Sequence, residues 1–128
     1  MYLRFVIPKV NCDSGRREGV FSTAYDLRRA GELPSHLHKE LDRALKWFGK
    51  QLTIPERFTR GPRRGEAGMA ISWFKDSAED CVSRMRTICR VLEEHGIATE
   101  MLTTDRPGYI VFEDEQQVVA VPFSDTPT

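Results

Sequence analysis

Residues 109–122 read YIVFEDEQQVVAVP. Two runs of aromatic and β-branched residues flank a short acidic joint, and a proline closes the second run. Such runs are strands, and so short a joint makes them a hairpin. This decides the fold class, because hairpin strands pair antiparallel, whereas parallel neighbours need a helix between them. Just upstream, IATEMLT (97–103) alternates imperfectly and adds a third consecutive strand. Arg106-Pro107-Gly108-Tyr109 fits a type II turn, with proline second and glycine third.

Further upstream lies the clearest helix, SAEDCVSRMRTICRVLEEHG (77–96). Ala78, Cys81, Val82, Met85, Ile88, Cys89 and Leu92 recur at three and four residues, the stripe of a half-buried helix. Ser77 with Asp80 resembles a capping box, Glu79 and Asp80 suit the positive end of the dipole, and Gly96 is placed to end the helix. MAISWFK (69–75) reads as a strand, with the entry to this helix as the alternative. LPSHLHKELDRALKWFGKQL (33–52) and GVFSTAYDLRRAG (19–31) carry two more amphipathic stripes, with Ser35 as expected N-cap and Gly31 as C-terminal stop. YLRFVIP (2–8) is a strand, and NCDSG (11–15) is a turn cluster. The order is β-α-α-loop-β-α-β-β-β. The predicted fold is α+β, a mostly antiparallel sheet of four to five strands with about three helices on one face. Residues 1–123 form a single domain, and 124–128 are expected to fray.

The chain has 128 residues, 40% hydrophobic and 30% charged, a composition ordinary for a globular domain. No apolar run approaches the ~20 residues that cross a bilayer, and the start of the chain lacks the pattern of a signal peptide. A cytoplasmic location without membrane contact is the expectation. The three cysteines, an odd number, do not form a disulfide framework. Cys81 and Cys89 fall on the apolar stripe and are expected to be buried, and Cys12 to lie in an exposed turn.

Net charge is zero, yet residues 1–64 hold 14 Lys and Arg against 7 Asp and Glu, and residues 65–128 hold 5 against 12. The basic half ends in ERFTRGPRRGEAG (56–68). That stretch has neither glycine spacing of a nucleotide-cradling loop. Arg57, Arg60, Arg63 and Arg64 form the candidate anion- or partner-binding group, since guanidinium forks suit phosphate and carboxylate. The competing reading is a solvated connector whose arginines pair with the acidic half.

Other candidates are weaker. His36 and His38 diverge by about 200° on a helix, a poor spacing for a shared metal. Glu113, Asp114 and Glu115 at the hairpin turn are the carboxylates from which a metal site would have to be built. Trp47-Phe48 and Trp73-Phe74 are adjacent pairs. Trp47 and Trp73 are therefore candidate aromatic contacts as well as candidate core residues. No catalytic residue, metal ligand or cofactor is assigned.

The stretches GVFSTAYDLRRAG, LKWFGKQLTIPERF, AISWFKDSA, HGIATEMLTTDRPG and YIVFEDEQQVVAVPF resemble a family of small bacterial proteins of unknown function. The resemblance implies a bacterial, single-domain protein and transfers no site. The functional expectation is a small non-enzymatic binding module. Its partner would be a protein, a second copy of the chain or a nucleic acid. The alternative is a metal-dependent hydrolase or nuclease using the carboxylates near the C-terminal hairpin.

Overall fold

The structure is a computed structural model that describes residues 1–10, 12, 15–52 and 70–128. Its elements are β1 (Tyr2–Val10), β2 (Arg17–Gly19), α1 (Val20–Ala30), α2 (Ser35–Gln51), β3 (Ile71–Lys75), α3 (Glu79–Glu94), β4 (Glu100–Thr104), β5 (Tyr109–Glu113) and β6 (Gln117–Val121). The class is α+β, with three helices and an antiparallel sheet of six strands. The strand beyond the expected set is β2. Its residues, Arg-Glu-Gly, show neither alternation nor β-branching, so nothing local announces it. It pairs with the far end of β1, at Val6↔Gly19 and Val10↔Arg17.

One edge of β1 carries β4 along Tyr2–Val6. The other edge is shared: β3 pairs at Tyr2 and Leu3, and β2 takes over from Val6. The sheet forks there. Beyond β3 come β6 and then β5, the other edge. On β1, Leu3, Phe5 and Ile7 join one buried cluster with residues of all three helices, among them Leu41, Phe48, Met85 and Ile88. Val6 falls on the opposite face, in a second cluster with Ile71, Trp73, Leu102 and Val118. Among the described residues no helix joins that cluster, yet Val6, Trp73 and Val118 are at most 1% exposed.

Sheet curvature accounts for this. Residues 105–108 run from β4 on one edge to β5 on the other. Four strand spacings of about 4.8 Å, combined with a five-residue offset along the strands, separate the two ends by roughly 25 Å in a flat sheet. Five residue steps reach only about 17 Å. The sheet must therefore curl toward that opposite face, which the connection crosses with Pro107 buried. Gly108 belongs to this crossing and not to a hairpin turn. Its φ is +129°, and a Cβ there would stand 2.0 Å from the carbonyl oxygen of Val121.

The helix starts differ from expectation. α2 follows Pro34, and Ser35 is its first residue, with no side-chain cap bond. α3 follows Ala78, also without one. Ser77 is consumed by the tight turn leaving β3, in which Ala78 N–H bonds Lys75 O and Glu79 N–H bonds Ser77 O. The C-terminal glycines behave as expected. Gly31 has φ +68°, and Gly96 has φ +88° with Ile97 N–H reaching back to Leu92 O, a Schellman closure. The last residues are held rather than frayed. Thr126, 7% exposed, accepts from Phe123 N–H and donates to Arg106 O at 2.9 Å, and Arg17 N–H bonds Thr128 O at 3.0 Å. Their polar groups find backbone partners on the crossing segment and on β2. A string of Ser, Asp, Thr and Pro does not reveal that.

Candidate functional site

Arg57, Arg60, Arg63 and Arg64 lie outside the described residues, as do Asn11, Asp13 and Ser14 of the expected turn. Trp47 is half-buried beside the main core, with the Arg84 guanidinium 5.3 Å from its ring centre. Trp73 is 1% exposed and belongs to the second cluster, so it takes the core side of its two readings. The hairpin carboxylates are separately engaged. Glu113 pairs with Lys75 at 2.6 Å, which pushes the Lys75 pKa up. Asp114 Oδ1 accepts the N–H groups of Gln116 and Gln117 and so fixes the turn, and Glu115 faces solvent. Among the described residues, no three of His, Cys, Asp and Glu are grouped as a metal ion would require. Cys12 is exposed, Cys81 and Cys89 are buried, and all three are free thiols.

A different set of residues converges at the fork of the sheet. Where the edge of β1 passes from β3 to β2, a cavity of about 720 Å³ opens. Because the fork is a gap in the sheet, side chains from both faces reach it. Phe5, Phe21, Phe74 and Met85 line it from the helix side, Trp73 and Arg4 from the other. Arg16 and Arg17 of the β2 approach stand at its rim, with Glu18 and Asp26 as the acidic members. α1 begins at this wall, and Gly19, Val20, Phe21 and Ser22 are among the lining residues. Gly19, its N-cap, supplies no side-chain bond. A helix start leaves orphan N–H groups and a partial positive charge, both of which suit an anion.

The electrostatics point the same way. Arg4 shares its sheet face with Leu102, its cross-strand neighbour. Its guanidinium donates to Arg17 O at 3.0 Å and to Thr128 O at 3.2 Å. Burial, together with the nearby charges of Arg16 and Arg17, lowers its pKa to about 10. Arg17 pairs with Glu100 at 3.5 Å. The Trp73 indole Nε1–H is buried and has no hydrogen-bond partner among the described residues. Buried donors are almost always paired, and leaving one unpaired costs about 1–3 kcal/mol. The cavity thus combines clustered arginines, a helix start without a side-chain cap bond and aromatic walls.

Sequence reasoning passed over this set because its members are scattered, at positions 4–5, 16–26, 70–74 and 85. The available signal was Arg16-Arg17 just ahead of Glu18, Gly19 and a helix. No family model matches the chain, and neither a curated protein nor a solved structure matches it.

Proposed function

We propose that this chain is a binding module, and that the cavity at the sheet fork takes a small organic anion. The acid group, a carboxylate or phosphate, sits among Arg4, Arg16, Arg17 and the start of α1. The apolar or aromatic body lies against Phe5, Phe21, Phe74 and Trp73. The observation that carries this reading is the convergence of three arginines and several aromatic side chains on one cavity. A concave, mostly apolar pocket with a few placed polar groups is the usual form of a small-ligand site. The proposal includes action in the cytoplasm.

The test uses the two tryptophans. In a Trp47→Phe variant the only indole emission comes from Trp73. Titration with a panel of aromatic carboxylates, nucleoside monophosphates and inorganic phosphate is expected to give a saturable change for at least one organic anion. Arg16→Ala/Arg17→Ala should weaken that ligand about tenfold or more, as charge-assisted bonds are lost. An absence of saturable response throughout the panel refutes the proposal, as does equal affinity in the arginine variant.

A further inference from the structure

We propose that the outward face of α2 is a docking surface for a single-stranded nucleic acid, bound through its phosphates. The observation is the arrangement of charge around the helix. Leu37, Leu41, Ala44, Leu45 and Phe48 are its buried residues. At about 100° per residue, His36, Lys39, Arg43, Lys46 and Lys50 fall within a sector of about 80° on the opposite side. All five are exposed, and no carboxylate of α2 lies in that sector. Its two acids flank the sector, and one of them pairs with a member of the row. Asp42 holds Arg28 at 3.3 Å and Lys46 at 2.9 Å, and Glu40 pairs with Arg90 of α3.

A surface helix ordinarily intersperses its charges, because opposite charges at three and four residues attract and like charges repel. Here Lys39–Arg43, Arg43–Lys46 and Lys46–Lys50 are all like pairs at that spacing. Only Lys46 has an ion pair among the described residues. The cations step along the axis by about 6, 4.5 and 6 Å, a straight row some 16 Å long. A row of anions relieves that repulsion, and a phosphodiester backbone supplies one. Beside the row, Arg84 lies over the Trp47 ring. The pair sets a guanidinium and an aromatic ring beside the row, both groups on which an unpaired base can stack.

An anionic membrane is the weaker match to the same charge. A helix lying in a bilayer interface turns its apolar side to the lipid, whereas the apolar side of α2 is buried in the core. None of the exposed large hydrophobic residues lies on α2.

The experiment is fluorescence polarisation with a labelled 20-nucleotide single strand of mixed sequence, at salt between 50 and 200 mM. The parent protein should bind, and affinity should fall as salt rises. Lys39→Ala/Arg43→Ala/Lys50→Ala should fold as the parent does by circular dichroism, since all three are exposed and alanine favours helix. Loss of three phosphate contacts should flatten the slope of log affinity against log salt by about 2 to 3. Lys9→Ala/Arg29→Ala/Arg86→Ala removes the same charge elsewhere and should retain most of the binding. Three results overturn the proposal: no binding by the parent at 50 mM salt, equal weakening by both triple variants, or binding to phosphatidylserine vesicles without binding to the oligonucleotide.

Discussion

At the scale of single residues, the cysteines show how position sets reactivity. Cys81 is 1% exposed, and its thiol donates to Gln116 Oε1 at 2.5 Å. Burial, with Asp114 and Asp80 nearby, pushes its pKa up to about 11. Cys89 is also raised, chiefly by burial. Only the thiolate is nucleophilic. Brief alkylation of the native protein at pH 7.5 should therefore label Cys12 first, as mass spectrometry can read, and Cys81 and Cys89 only on unfolding. The same shift has a stability consequence. Between the ordinary thiol value of 9.0 and about 11, the folded chain keeps the Cys81 proton while the unfolded chain has released it. The contribution is intact below pH 9 and is lost as pH rises toward 11. Cys81→Ser keeps a donor for Gln116 and removes the titration, so its melting temperature should fall less steeply than the parent's between pH 8.5 and 10. The hydrophobic stripe made the burial of both cysteines legible in the sequence. The hydrogen bond to Gln116, 35 residues away, was not, because it depends on where the hairpin turn meets α3.

At the scale of elements, periodicity was a sufficient guide wherever an element buries one face. Met85 is the centre of the α3 stripe and is 2% exposed. Met85→Asp places an unpaired charge against Phe5, Leu41 and Leu45, and should cost more than about 4 kcal/mol. Thermal melting should show no cooperative transition, or one far below the parent's. Periodicity failed where an element is held by backbone partners alone. β2 has two charged residues, a glycine and no stripe, so its pairing with β1 could not be foreseen. Without β2 the fork in the sheet is invisible, and with it the cavity. The ends of helices failed for a related reason. Ser35 and Ser77 have the right chemistry for caps, but Pro34 and the turn after β3 move each helix start by a residue or two. The basic sector of α2 was present in the sequence and is found by the helical wheel that locates its core. Reading only the buried side of that wheel leaves it unnoticed.

At the scale of the whole molecule, the element order was legible and the closure was not. Three consecutive strands suggest a meander, in which β4 would lie beside β5. Instead β4 lies against β1 at one edge, and β5 against β6 at the other. The choice follows from chain reach and from how much of the second cluster must be covered, neither of which has a local signature. It has a consequence that measurement can reach. The crossing of residues 105–108 ties the two edges of the sheet together. Its tightest point is Gly108, where a left-handed φ coincides with the carbonyl of Val121 and with Pro122. Gly108→Ala adds both backbone strain and a collision with backbone atoms, which cannot rotate aside as a side chain can. We expect a loss of at least about 2 kcal/mol, although the residue is only half-buried. The distinctive readout is hydrogen exchange. If the crossing holds the curled sheet closed, amides of β4 and β5 should lose protection together, at opposite edges of the sheet, while those of α2 and α3 change less. Loss confined to β5, next to the substitution, would mean that the curl is maintained by the strands themselves and that the crossing merely follows it.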